Sequence, residues 1–142
     1  MGEFELHPDF KDFLKLLNSH GVEYLVVGGY AVAYHGYPRA TGDIDIWIPV
    51  DEQTPARAAA AFRDFGMPEE AVSQDLFTEE GKVIRMGVPP VRIEVITSAS
   101  GVGFKECYAR RLNVVIEGIP VNFISLEDLK RNKTGLAHLA LL

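Results

Sequence analysis

Apolar residues recur along the chain with two different periods, and each period predicts a different element. Near the start they recur at helical spacing, after Pro8 and before Gly21, at Phe10, Phe13, Leu14 and Leu17. Proline is tolerated in the first turn of a helix, and glycine commonly follows the last one. This segment is therefore predicted to be an amphipathic helix.

Residues 23–27 form a short run of strand-forming side chains that ends at Gly28-Gly29. Residues 30–35 then predict a brief helix, which Gly36 stops. The sequence here predicts a strand, a tight turn and a helix.

Residues 43–48 alternate strictly between two kinds of side chain. Asp43, Asp45 and Trp47 fall on one face of the predicted strand, and three isoleucines fall on the other. The pattern predicts a strand with one buried apolar side.

The second half of the chain mixes helix and strand signals. Thr54 as the N-cap, Pro55 at the first position and Gly66 at the end predict a second long helix. Residues 68–81 are acidic and give no clear pattern. Residues 82–86 and 91–96 predict a hairpin whose turn is 87–90, and residues 104–110 predict a short helix. Residues 114–116 and 119–124 predict a second hairpin. Ser125 and Asp128 then predict the start of a last helix. Together the elements predict an α+β fold, a mixed sheet with helices packed against it.

Length and charge narrow the class of protein. The 142 residues suit a single domain spanning 1–142, with a net charge of −6 that disfavours long nucleic acid as a partner. Cys107 is the only cysteine, so neither an internal disulfide nor a cysteine-rich zinc site is expected. The sequence lacks a secretory signal pattern and a membrane-length apolar run, so a cytoplasmic protein without a membrane partner is expected.

The acidic residues of the alternating strand suggest chemistry. Residues two apart on a strand lie about 6.5 to 7 Å apart, so Asp43 and Asp45 project together and can share a cation. Oxygen ligands with open positions suit Mg²⁺ better than zinc. Gly28-Gly29 leaves room for a phosphate to approach the backbone, and Glu94 is a third acidic residue inside an apolar strand. If the two acidic strands are neighbours, three carboxylates meet.

These residues together resemble the nucleotidyltransferase superfamily with the polymerase β-like fold, in its small bacterial members related to toxin-antitoxin and antibiotic nucleotidyltransferases. The resemblance implies NTP as substrate and Mg²⁺, or Mn²⁺, as cofactor. It implies that Gly28 and Gly29 contact the nucleotide and that Asp43, Asp45 and Glu94 are catalytic metal ligands, Glu94 alternatively being the general base. It extends through Arg39, Thr41 and Lys133, implied as further nucleotide contacts. The chain departs from many relatives at Gly29, where they have serine, and at Glu94, where they have aspartate. It also departs after Lys133-Thr134-Gly135, where close relatives often continue with arginine and then Lys-Asp but this chain has residues 136–139, Leu-Ala-His-Leu.

Each residue also has a simpler interpretation. Asp43 and Asp45 can be the solvent-facing side of a strand, Gly28-Gly29 only a turn, and Glu94 a salt-bridge partner of Arg92. Arg39 can be an ordinary surface arginine. Trp47 either stacks on a nucleobase or packs beneath a helix.

The leading functional hypothesis is a metal-dependent nucleotidyltransferase that moves an NMP from an NTP to an acceptor hydroxyl. The acceptor is a small hydroxylated compound, a protein side chain or a tRNA end, and the acidic balance of the chain favours the first two. The alternatives are a non-catalytic module of the same fold that acts through a partner protein, and the toxin of a toxin-antitoxin pair held by a cognate partner.

Overall fold

A computed structural model of the protein describes residues 6–36, 42–88 and 91–132. The helices are α1 (Pro8–Ser19), α2 (Gly28–Tyr34), α3 (Thr54–Phe65), α4 (Phe104–Ala109) and α5 (Leu126–Arg131). The strands are β1 (Leu25–Val27), β2 (Asp43–Trp47), β3 (Val83–Val88), β4 (Val91–Ile96), β5 (Leu112–Ile116) and β6 (Ile119–Phe123).

The strands form one sheet in the order β3-β4-β2-β1-β6-β5. β2 runs parallel to β4 and antiparallel to β1, and β1 runs parallel to β6. The outer pairs β3 with β4 and β5 with β6 are antiparallel. The predicted α+β class with a mixed sheet is confirmed. β2, which carries Asp43 and Asp45, lies inside the sheet with a paired strand on each side.

The two faces of β2 have different surroundings. Ile44 and Ile46 are fully buried and belong to one apolar core with the inner residues of α1 and α3. Phe13 of α1 meets Phe62 of α3 edge to face, with ring centroids 5.4 Å apart. On the opposite face Asp43 and Asp45 are only partly buried. The apolar face anchors the strand and leaves the acidic face open for ligands.

The predicted helices exist, but two of their starts differ from the sequence expectation. Gly28 and Gly29 belong to the first turn of α2, which the sequence placed after them. The positive φ of Gly28, 65°, lets the chain turn from β1 directly into the helix. Thr54 is the first helical residue of α3 rather than its N-cap, because Asp51 accepts hydrogen bonds from the N–H groups of Gln53 and Thr54.

The hairpins form with modestly different bounds. β3 continues through Gly87 and Val88, which were predicted as part of the turn; the rest of that turn, Pro89 and Pro90, lies outside the described residues. β5 begins at Leu112, two residues before the predicted start. The acidic segment 68–81 contains two short 3-10 turns, Glu69–Ala71 and Gln74–Phe77.

Ser125 caps the last helix as predicted, whereas the Asp128 side chain bonds to two arginines. The Ser125 hydroxyl accepts from the Asp128 N–H at 3.1 Å and donates to its Oδ2 at 3.0 Å. The fully buried Asp128 carboxylate also receives hydrogen bonds from Arg110 and Arg131. Asp128 therefore joins α5 to the end of α4 rather than completing a reciprocal capping box.

Candidate functional site

The acidic strands predicted by the sequence are neighbours. In the parallel pairing of β2 with β4, Asp45 lies opposite Glu94 and Asp43 lies opposite Arg92. Since partners in register share a face of the sheet, three carboxylates and one guanidinium lie on the open face. The Asp43 side chain is 32% exposed and the Glu94 side chain 18% exposed. The carboxylates are thus accessible from solvent while resting on the core.

Arg92 is the main cation within this cluster. Its Nη2 lies 2.8 Å from Asp43 Oδ2 and 3.5 Å from Glu94 Oε1. Its Nε is buried and has no hydrogen-bond partner among the described residues. The interpretation of Glu94 as a partner of Arg92 is therefore correct, but the stronger contact of Arg92 is with Asp43, which the sequence did not indicate.

A second arginine reaches Glu94 from the outer side. Arg85 Nε lies 3.5 Å from Glu94 Oε2, across the β3–β4 pairing in which the two residues are opposite each other. No local sequence pattern indicated this contact. Counting back from the Val88–Val91 pair at the hairpin end would have found it, because an antiparallel register fixes every later pair.

Asp45 lies in the least favourable electrostatic position of the three carboxylates. Burial raises its pKa to about 6, and the charges of Glu94 and Asp43 add to the rise, while Arg92 opposes it. Arg92 therefore does not offset the negative charges around Asp45. Such a carboxylate favours the arrival of a further cation.

Gly28 packs directly against Asp45. Val27 at the end of β1 lies opposite Asp45, so the turn that follows reaches the carboxylate. A β-carbon at Gly28 would overlap Asp45 Oδ2 and would lie 3.0 Å from Asp45 Cγ. Gly28 thus lies beside the Asp45 carboxylate, and position 28 has no space for a side chain.

The start of α2 lies close to the acidic cluster, and its first residues are buried. Val27 as the N-cap makes no side-chain hydrogen bond to the helix, so its first N–H groups are not capped in that way. Gly28 and Gly29 themselves are buried. Tyr30, one residue on, has a pKa raised by burial and by the charge of Asp43. Tyr30 is a neighbour of the site that the sequence analysis did not identify.

The donor set has the chemistry that a hard divalent cation requires. All the acidic ligands are carboxylates, and a guanidinium already occupies the space between Asp43 and Glu94, which shows that the cluster attracts a cation. Within residues 6–36, 42–88 and 91–132, no group of three or more His, Cys, Asp or Glu converges enough to hold a metal ion. A metal ion bound to Asp43 or Glu94 would have to compete with Arg92 for these carboxylates.

The remaining predicted residues divide into two groups. Trp47 is 2% exposed and packs beneath α4, edge to face with Phe104 at a centroid distance of 5.2 Å. Of the two interpretations of Trp47, packing beneath a helix is therefore the one that the structure has. Arg39, Thr41 and Lys133, predicted as nucleotide contacts, lie outside the described residues. Their roles stay predictions.

Comparison with known proteins gives the fold its name. No protein-family model and no curated protein matches the sequence. The structure is similar to a crystal structure from Thermotoga maritima of a protein provisionally assigned as a nucleotidyltransferase. The two share 15% identity and a TM-score of 0.56, over 96% of this chain and 87% of the other. At that identity the likeness is one of fold, and this chain has the nucleotidyltransferase fold.

Proposed function

We propose that the protein is a metal-dependent nucleotidyltransferase that transfers an NMP from an NTP to a hydroxyl group of an acceptor. The observation that carries the proposal is that Asp43, Asp45 and Glu94 lie on one open face of β2 and β4, and that Gly28 packs against Asp45. A carboxylate cluster next to a side-chain-free turn suits a metal bound to a polyphosphate. The fold is consistent with the proposal.

In the proposed reaction, Asp43 and Asp45 would hold Mg²⁺ or Mn²⁺, and Gly28 and Gly29 would bring backbone N–H groups toward the phosphates. Arg39, Thr41 and Lys133 are proposed as additional nucleotide contacts. When bound, the metal supplies positive charge that stabilises the phosphoryl oxygens during in-line displacement. Glu94 either joins the metal ligands or accepts the proton of the attacking hydroxyl.

The proposed transfer forms one bond to phosphorus and breaks one. The acceptor oxygen forms a bond to the α-phosphorus, and the bond from that phosphorus to the oxygen shared with the β-phosphate breaks. Pyrophosphate leaves with that oxygen. The hydroxyl proton passes to Glu94 or to solvent.

Arg92 has a proposed role before the substrate arrives. Its contacts with Asp43 and Glu94 neutralise part of the repulsion among the carboxylates. A metal ion held by Asp43 would supply positive charge in place of Arg92, and the released guanidinium would be available to a phosphate oxygen.

The test follows the α-phosphate. Each of the four NTPs, labelled at the α-phosphorus, is incubated with Mg²⁺, the protein and an extract that supplies acceptors. We expect label to move from one NTP into a new product, and the Asp45→Asn variant to lose this transfer by a factor of about 100 or more. Transfer by Asp45→Asn at the wild-type rate would show that the proposed mechanism is wrong.

A second candidate is a non-catalytic module that keeps the fold and acts through a partner protein. It is favoured by the arginine already seated on Asp43 and by the burial of both glycines. Under this reading Arg92 is a permanent structural partner of the acidic face. The module predicts that the folded protein binds no Mg²⁺-NTP, which separates it from the enzyme.

A further inference from the structure

Strand β5 lies at one edge of the sheet, and among the described residues β6 is the only strand that pairs with it. It also carries exposed apolar side chains: Leu112 is 38% exposed and Val115 is 69% exposed. An edge strand presents unpaired backbone groups, to which another strand can pair. The outer edge of β5 is therefore a surface at which a partner strand could bind.

The backbone groups of β5 that face this edge can be identified from the hydrogen bonds of β6. In the pairing of the two strands, Asn113 lies opposite Asn122 and Val115 lies opposite Pro120. The Tyr24 hydroxyl donates to the Pro120 carbonyl at 3.3 Å and accepts from the Asn122 N–H at 3.4 Å. Because these two residues of β6 direct backbone groups away from β5, both pairs are of the non-hydrogen-bonded kind. The N–H and C=O groups of Asn113 and Val115 consequently point outward.

The sequence of β5 lacks the features that keep an edge strand from pairing. Its five residues, Leu-Asn-Val-Val-Ile, include no charged side chain and no proline. The strand at the opposite edge, β3, carries Arg85, whose side chain is 59% exposed, and follows Lys82 directly. Charged side chains on an edge strand oppose pairing with another chain. Of the two edges of the sheet, the one at β5 is therefore the better suited to a partner.

A second copy of β5 fits this edge in an antiparallel register centred on Val114. In that register the outward groups of Asn113 exchange hydrogen bonds with those of Val115 in the other copy, and the two-fold symmetry repeats the exchange. On the other face of the strand, Val114 lies opposite its own copy and Leu112 lies opposite Ile116. These apolar pairs cover each other, and no like charges meet within the strand.

The charges at the two ends of β5 favour the antiparallel direction. Arg110 and Arg111 come directly before the strand, and Glu117 comes directly after it. The Glu117 side chain is 43% exposed, and Lys11 contacts its Oε1 at 3.2 Å. Antiparallel pairing brings the basic start of one strand toward the acidic end of the other, whereas parallel pairing in register would bring like charges together.

We propose that the outer edge of β5 is a dimer interface, at which it pairs with β5 of a second copy of this chain around a two-fold axis at Val114. The two sheets then form one continuous sheet. The acidic faces of β2 and β4 lie on the same side of this dimer, and both stay open because β5 is at the far edge from β3 and β4. The proposal stands independently of the proposed nucleotidyl transfer.

Sedimentation velocity of the full-length protein tests the dimer. A contact as small as one strand predicts a reversible dimer, whose share should rise over a range from about 1 to about 500 µM. Val115→Lys brings two charges close together across the axis and should weaken the dimer at least about tenfold. Val83→Lys, at an exposed position of the β3 edge, is the matched control and should change it less than about twofold.

Two results of that experiment would overturn the proposal. One is a monomer over the whole range, as expected if another segment of the chain or a different protein covers β5. The other is equal weakening by Val115→Lys and Val83→Lys, as expected if the copies associate elsewhere.

Cysteine cross-linking tests the register. In a Cys107→Ala background, Val114→Cys sets two thiols opposite each other in a non-hydrogen-bonded pair, with Cα atoms about 4.5 Å apart, which a disulfide can bridge. Val115→Cys is the control, because the two copies of residue 115 are diagonal neighbours about 7 to 8 Å apart. Mild oxidation should give covalent dimers of Val114→Cys at least about tenfold faster than of Val115→Cys. Equal rates, or faster linking of Val115→Cys, would overturn the proposed pairing.

Discussion

At the scale of single residues, the demands of folding and of the proposed chemistry conflict most strongly at Asp45. The carboxylate lies between Glu94 and Gly28, and burial with two like charges raises its pKa to about 6. A folded-state pKa above the usual value means that the native protein binds this proton more tightly than the unfolded chain. Ionised Asp45 therefore lowers the free energy of unfolding above pH 6, and the loss disappears as the pH falls toward 4.

Asp45→Asn is accordingly expected to stabilise the metal-free protein. At pH 7.5 the variant should gain about 2 kcal/mol in the free energy of unfolding, roughly a third less than the ~3 kcal/mol to which the pKa rise converts, because the side chain is partly exposed. At pH 4.5 the gain should be much smaller. Urea unfolding in EDTA at both pH values measures it, with exposed Asp12→Asn as the control. A variant less stable than the wild type at pH 7.5 would contradict this account of Asp45.

Arg92 is the second residue at which a measurable effect is expected. If its guanidinium competes with metal for Asp43 and Glu94, Arg92→Met should bind Mn²⁺ more tightly, by about fivefold for a competing contact of about 1 kcal/mol. Free Mn²⁺ measured by electron paramagnetic resonance gives the affinity. Arg57→Met, whose arginine bonds to the Gly21 carbonyl, is the control. Unchanged or weaker Mn²⁺ binding in Arg92→Met would show that the arginine does not compete.

At the scale of elements, the junction of β1 with α2 fixes the shape of the site. The chain reverses at Gly28 with φ of 65°, and this brings the start of α2 against Asp45. The sequence identified the strand, the glycines and the helix, because punctuation by glycine is a local signal. It placed the helix start too late, since the entry of Gly28 into the helix depends on contact with β2. At the start of α3 the N-cap is Gln53 rather than Thr54, and the Asp51 carboxylate accepts hydrogen bonds from the N–H groups of Gln53 and Thr54.

Gly28→Ala tests that junction. It introduces both backbone strain at positive φ and overlap with the Asp45 carboxylate, so we expect a loss of about 3 kcal/mol in the free energy of unfolding. Gly118→Ala is the matched control, because Gly118 has φ of 84° and nothing within 4 Å of an added β-carbon. It should lose only about 1 to 2 kcal/mol.

A double substitution shows whether the overlap is the cause. Adding Asp45→Ala to Gly28→Ala should recover most of the difference between the two glycine variants, a coupling that urea unfolding of the four proteins measures. Equal losses for Gly28→Ala and Gly118→Ala would mean that Asp45 does not restrict position 28.

At the scale of the whole molecule, the sheet order explains what the sequence alone was unable to give. Alternation assigned Asp43, Asp45 and Glu94 to strand faces, but only the parallel pairing of β2 with β4 sets Asp45 opposite Glu94. The same pairing sets Arg92 opposite Asp43, a contact between residues 49 positions apart that no local pattern contains. The packing of Phe104 in α4 against Trp47 in β2 is likewise a long-range contact.

The net charge of −6 is distributed unevenly over the molecule. Acidic side chains outnumber basic ones on the open face of β2 and β4, and again beyond the carboxyl ends of these strands, where Glu23, Asp51, Glu80 and Glu106 accompany Lys105. Both places favour cations. Among the described residues no helix is long and apolar enough to cross a membrane.

The central claim is that the carboxylates and the glycine turn bind a metal together with an NTP. Calorimetric titration of the four α,β-methylene NTPs into the folded protein, with Mg²⁺ and with EDTA, tests it most directly. We predict that at least one analogue binds with Mg²⁺, fails to bind in EDTA, and loses its affinity in Asp45→Asn. No binding of any analogue to a protein whose fold is verified in the same sample, or binding that is equal with and without the metal, would contradict the claim.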